Sequence, residues 1–115
     1  MANTFKVITK AGVTSLDVIY TVASSTTTVV LGLVLGNTTT SQVTATVTLN
    51  TDTANRSGAN DEANQAVELV TNAPIPAASS LELLAGNKVV LETTDEIKVS
   101  ASGATDVALS VMEIT

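Results

Sequence analysis

The chain has 115 residues, five basic and eleven acidic side chains for a net charge of −6, and neither histidine nor cysteine. That inventory excludes a disulfide framework, a thiolate metal site and chemistry that relies on a histidine base. One Phe, one Tyr and no Trp on an acidic chain also argue against nucleic acid, which selects basic footprints and stacking rings.

The length suits one domain, and one large enough to hold a core without covalent staples. Charged residues make up 14% of the chain, below the usual quarter. Threonine and serine take their place, a surface chemistry found in adhesins, fibres and viral coats. The longest apolar run, residues 29–35, is interrupted by Gly32 and falls far short of the about 20 residues that span a bilayer. The opening ten residues hold no signal-peptide core. The expectation is a protein made in the cytoplasm without a targeting signal and not embedded in a membrane.

In chain order, residues 1–15 are expected to form an N-terminal arm and residues 16–115 a β-sandwich domain. Lys6 and Lys10 lie four apart on the arm, beside Phe5. They read either as a solvated segment or as a docking arm for an acidic partner, with Phe5 as its apolar anchor.

Period-two alternation, the mark of a strand with one buried face, recurs along the rest of the chain. "LDVIYTV" (16–22) places Leu16, Val18, Tyr20 and Val22 on one side. "TTTVVLGLVLG" (26–36) is apolar on both sides in its middle, as a central strand is. Its Gly32 and Gly36 mark a bulge or a close backbone approach. After the "NTTTS" turn, "QVTATVTLN" (42–50) puts Val43, Ala45, Val47 and Leu49 opposite three threonines. Residues 51–65 are a polar Asn/Asp/Ser/Gly-rich loop. "AVELVTN" (66–72) is the next strand, with Val67 and Leu69 on one face. Pro74 and Pro76 then imply an extended edge or a crossing between sheets. "SLELLAG" (80–86) ends at a Gly86-Asn87 turn. "KVVLETTDEIKVS" (88–100) reads as a hairpin folded on a polar turn, with Leu91 and Ile97 both pointing into the core. "TDVALSVMEIT" closes the chain, with Val107, Leu109 and Val111 on one face. No segment carries a persuasive helical period, although "DEANQAVEL" has room for one turn. About eight strands at this spacing make an all-β, single-domain antiparallel β-sandwich.

Reactive constellations are sparse. No Ser–Lys pair has an SxxK spacing, and the adjacent carboxylates Asp61-Glu62 and Asp95-Glu96 read as solvated turns rather than a glycosidase pair. Calcium is the one metal the side chains allow, through Asp52, Asn55, Asn60, Asp61 and Glu62. Ala54 breaks the EF-hand pattern, and the loop reads instead as flexible or as ordered by a neighbouring subunit. The sequons at Asn37 and Asn55 read as chance in an Asn/Thr-rich chain. No catalytic, metal or cofactor site is therefore expected.

Several stretches together resemble small β-sandwich virion proteins of tailed bacteriophages, as found in phages of cyanobacteria and other aquatic bacteria. They are "MANTFK", "VIYTVASSTTTVVLGLVLGNTTTSQVTATVTL", "NAPIPAASSLEL", "KVVLETTDEIKVSA" and "TDVALSVMEIT", which cover nearly the whole chain. Three departures stand out: Ala77-Ala78 where a glycine is usual after the second proline, Thr94 in place of the glycine of a "GD" turn, and a 51–65 loop longer and more polar than the family pattern. The resemblance implies a jelly-roll-like fold and a non-enzymatic capsid decoration (cement) protein, often trimeric, that clamps the major capsid protein on the outside of the virion. A tail, neck or fibre subunit is the nearest alternative, and a carbohydrate- or ion-binding module the alternative from another class. The expected partner contacts are Phe5, Lys6 and Lys10 on the arm and Asn55, Arg56 and Asn60 in the 51–65 loop.

Overall fold

The computed structural model describes residues 2–52, 64–84 and 88–115. Nine strands lie among them: β1 (Asn3–Val13), β2 (Asp17–Thr21), β3 (Thr27–Asn37), β4 (Val43–Asn50), β5 (Ala66–Ile75), β6 (Ser80–Leu83), β7 (Val89–Leu91), β8 (Glu96–Ala101) and β9 (Thr105–Ile114). Every pairing between them is antiparallel. No helix occurs among the described residues, so none is long and apolar enough to cross a membrane.

The strands form two sheets. Sheet A runs β1-β9-β3-β6, with β7 also paired to β3; sheet B runs β2-β8-β4-β5. Strands β6 and β7 follow one another along the same side of β3, against its residues 33–36 and 28–30. That division is why nine strands appear where eight are expected. Taken as one interrupted strand, they give the strand order of a jelly roll, the all-β sandwich read from the sequence.

The alternation in sequence becomes the core directly. Strands β3 and β9 present Val30, Leu33, Leu35, Val107, Leu109 and Val111 inward, each buried to within 2% of complete. Val43, Ala45 and Val47 of β4 and Ile97 and Val99 of β8 face them from sheet B, with Ile75 at one end. Full burial of such side chains contributes about 1.5–3 kcal/mol each.

Three segments differ from the sequence reading, each for a local reason. Residues 3–13, expected as an arm, are β1, which pairs with β9 from Asn3↔Ile114 onward. As an edge strand it is exposed along most of its length, so its composition resembles that of a solvated segment. In β2 a register shift between Val18 and Tyr20 breaks the alternation. Ile19 and Tyr20 are therefore buried side by side, while Leu16 and Val18 are exposed. Residues 88–100 are not a hairpin. Strand β7 belongs to sheet A and β8 to sheet B, so residues 92–95 form a corner that crosses the sandwich. Leu91 and Ile97 are still both fully buried. The corner is held by the buried carboxylate of Asp95, which accepts from the backbone N–H of Glu92 at 3.0 Å and of Asp52 at 2.9 Å.

Asn37, which the sequence places in an ordinary turn, is buried and ties the sheets at their far end. Its Nδ2 donates to the carbonyls of Ser41 and Ile75 at 2.9 Å and of Pro76 at 3.2 Å. Its Oδ1 accepts from the backbone N–H and the hydroxyl of Thr39, both at 2.8 Å. One side chain thus secures the β3–β4 turn and the β5–β6 crossing that the two prolines announced. Asn37→Ala removes these bonds inside a buried site and is expected to cost about 2–4 kcal/mol. Urea unfolding, with an unchanged far-UV spectrum for the variant, measures it.

Candidate functional site

Two features of sheet A stand out as candidates for recognition: its free edge and its outer face. The edge is β1, eleven residues with only β9 beside it. Near its end the register shifts between Lys10 and Val13, and Gly12 takes a φ of 67°, a left-handed conformation that glycine adopts without strain. The Asp106 carboxylate accepts from the Gly12 N–H at 2.9 Å and holds the bulge. Bulges and lysines are two devices that protect open edges. The stretch between residues 3 and 10 has no bulge.

Phe5 lies on the outward face of β1 and is 71% exposed, with Val7 on the same face at 62%. Lys6 and Lys10 alternate to the inner side, where each meets an acid. Lys6 Nζ lies 2.8 Å from Glu113 Oε1, and Lys10 Nζ lies 3.3 Å from Asp17 Oδ2. Both lysines are therefore engaged within the fold, a departure from the picture of a basic arm reaching for an acidic partner. Asn55, Arg56 and Asn60 lie outside the described residues. At the base of their loop, the Thr51 N–H donates to the Gln65 carbonyl at 2.9 Å, so the ends of that segment meet.

The lysine contact belongs to a network that composition did not reveal. Tyr20, from sheet B, crosses to sheet A and donates its hydroxyl to Glu113 Oε2 at 2.5 Å. The hydroxyl of Thr28, wholly buried, is 2.8 Å from the Tyr20 hydroxyl oxygen. The phenol has a single hydrogen and gives it to the carboxylate, so Thr28 is the donor in that pair. Burial first, and then the bond to Glu113, push the Tyr20 hydroxyl up to about 12. The Lys6 ammonium, and then Tyr20, hold the Glu113 carboxyl below the ordinary carboxylate range. A phenol that resists ionisation and a carboxylate already occupied by an ammonium form a tie between the sheets, not an acid–base pair. The only sequence signal for it was a lone Glu113 at an inward position of β9.

The outer faces of the two sheets differ. On sheet B, Thr46, Thr48, Glu68, Glu96, Lys98 and Ser100 make a hydroxyl and charged surface. On sheet A, register sets the side chains in cross-strand rows. Phe5, Met112, Val29 and Val90 lie side by side over four strands as an apolar ridge. Beside it run Val7, Ser110 and Gly32, and then Thr9, Ala108 and Val34. Past that third row lies a hollow of about 350 Å³, lined in part by Ala11, Val34, Gly36 and Ala108. Charge stands at the margins of this face, as Glu82 and Asp106, with exposed Lys88 directly before β7.

The tie has a pH signature. Above pH 10 the unfolded chain ionises its tyrosine while the folded chain keeps the proton. Stability is therefore fully present below pH 10 and is lost as pH rises towards about 12. Glu113 acts in the opposite sense, its stabilisation present above the ordinary carboxylate range and lost as pH falls through its lowered value. Tyr20→Phe is expected to lower stability at pH 7 by about 1–3 kcal/mol, because it strips partners from buried Thr28 and from Glu113. It should also remove the tyrosine's share of the alkaline loss. Melting temperatures of both proteins from pH 7 to 12 check this, and parallel alkaline limbs would refute it.

No protein-family model matches the chain, and no curated protein matches it significantly. Among solved structures, the chain is similar to one from Bacillus endospore appendages, described as disulfide-linked pili. The TM-score is 0.50 with 14% identity over 99% of this chain and 87% of that one. A second, from the T13 IBDV viral particle, has a TM-score of 0.27 and 11% identity over 96% of this chain and 35% of that one, too low to establish a common fold. At 14% identity, the likeness to the appendage protein concerns the fold alone.

Proposed function

We propose that this protein is a non-enzymatic structural subunit of a virion, a capsid decoration protein that binds the major capsid protein and copies of itself on the particle surface. The observation that carries this reading is β1: an eleven-residue edge strand, unbulged over residues 3–10, beside exposed Phe5 and Val7. A long open edge is a hazard for a free protein and a means of attachment for an assembled one, because an incoming strand satisfies its unpaired backbone groups. The absence of histidine and cysteine from the chain supports a role without catalysis. The fold it shares with the endospore appendage protein occurs there in a pilus, an assembled structure. Those pili are disulfide-linked; this chain has no cysteine, so any assembly it makes relies on noncovalent surfaces of the kind sheet A offers.

A tail, neck or fibre subunit is the second reading. The same edge serves it equally, since strand addition is indifferent to the shape of the particle. Comparison of particles with and without the protein tests the decoration role. Particles lacking it should release their genome at a temperature several degrees lower, and added purified protein should restore the difference. Immunogold labelling over the whole capsid surface is expected. Label confined to the tail would favour the second reading, and an unchanged release temperature would reject the cement role.

A further inference from the structure

The central strand of sheet A contains two glycines that the fold itself does not require. Neither Gly32 nor Gly36 has a left-handed backbone. The register shift beside Gly32 accommodates Leu31 and demands no positive φ at Gly32. Among the described residues, a Cβ on Gly32 would meet nothing within 4 Å, and one on Gly36 only the Asp106 carbonyl at 3.9 Å, an ordinary contact. Glycine inside a strand weakens it and often marks a bulge or the close approach of another backbone; Gly32 adjoins the register shift, whereas Gly36 stands in regular pairing with Asp106. Both glycines lie on the outer face, Gly32 in the row beside the ridge and Gly36 in the hollow.

We propose that this face is a homodimer contact, in which two copies pack sheet A against sheet A about a two-fold axis running across the strands along the Val7–Ser110–Gly32 row. That operation keeps each strand over its counterpart and exchanges the rows on either side. The Phe5–Met112–Val29 ridge of one copy then lies over the Thr9–Ala108–Val34 row of the other, at the mouth of its hollow. The contact is self-complementary, as a two-fold interface must be. The middle row, small at Ser110 and Gly32, lets the sheets approach.

The occupant is a second copy for two reasons. The first is charge. Copies carrying −6 repel one another, and sheet B would bury Glu68, Glu96 and Lys98 in such a contact, whereas sheet A keeps its acids at the margin. The three central rows of this face carry no charge, so a charged partner would find counter-charge only at its borders. The second is size. Four strands about 4.8 Å apart and roughly eight residues long make a patch of about 500 Å² per copy. The total, about 1,000 Å², is the lower bound of a specific contact and suits a weak dimer. The inference goes beyond the decoration reading and does not need it, since the β1 edge stays free for a coat lattice.

Sedimentation equilibrium of the full chain up to about 1 mM tests the proposal. Wild type should form dimers and nothing larger. Gly32→Gln, whose side chain enters empty space in the monomer, should keep the far-UV spectrum and melting temperature of the monomer and weaken dimerisation at least ~10-fold. Phe5→Ser, at an exposed position, should do the same and stands in if the glycine variant folds poorly. Thr48→Gln on the opposite face should dimerise as wild type does. A monomer at about 1 mM, a trimer, or a dimer as tight in both sheet A variants as in wild type would overturn the proposal. Co-sedimentation of Gly32→Gln with capsids reports separately on the decoration role, so either idea can fail while the other stands.

Discussion

A strand at the margin of a sheet leaves half of its backbone donors and acceptors without a protein partner, and that constraint organises what is distinctive here. Most β-sandwiches blunt their edges with bulges, prolines, charges or short strands. Among the described residues, this chain does so on three of its four. Strand β2 is five residues long and shifts register, β5 shifts twice and carries Pro74, and the β6–β7 edge is interrupted. Only β1 is both long and regular over most of its length, and its two lysines, the natural guards, are drawn inward to Glu113 and Asp17. That asymmetry is what the proposed attachment through β1 rests on.

The face of the same sheet continues that asymmetry. Both sheets bury aliphatic inner faces, so the core has no preference between them. The outer faces part company because β4 alternates Val and Ala with Thr, while β3 alternates Val and Leu with Val and Gly. The first pattern is a half-solvated strand and the second is buried on both sides. In the isolated domain β3 is covered on one side only. Sheet A thus has the open edge and the apolar outer face, sheet B the hydroxyl and charged one, and Tyr20 and Asn37 join the two.

Much of the fold was legible in the sequence, because a two-residue period survives wherever a strand has one dry face. Strands β3, β4 and β9 stand where the sequence places them, and β4 and β9 turn the expected Val43, Ala45, Val47, Val107, Leu109 and Val111 inward. The hairpin at 88–100 was misread because period and turn chemistry are local. A corner between sheets and a hairpin have the same turn residues and the same inward Leu91 and Ile97, and differ only in the partners that the distant β3, β2 and β4 supply. Strand β1 was hidden by its own exposure. At the proposed contact, Phe5 is exposed on β1, while Lys6 and Lys10 pair with Glu113 and Asp17; the first of these partners is over 100 residues away and the second only seven, and neither pairing follows from period-two alternation. The glycines were visible as anomalies from the start, and their meaning needed the empty space around them.

Hydrogen exchange along β1 tests the central claim most directly. In the isolated chain at low concentration, the edge-facing amides between residues 3 and 10 should exchange rapidly while those paired with β9 are protected. In the native particle the same edge-facing amides should slow by orders of magnitude, as a neighbouring strand covers them. Equal, rapid exchange of those amides in the free protein and in the particle would show that the open edge is not where this protein meets its neighbours.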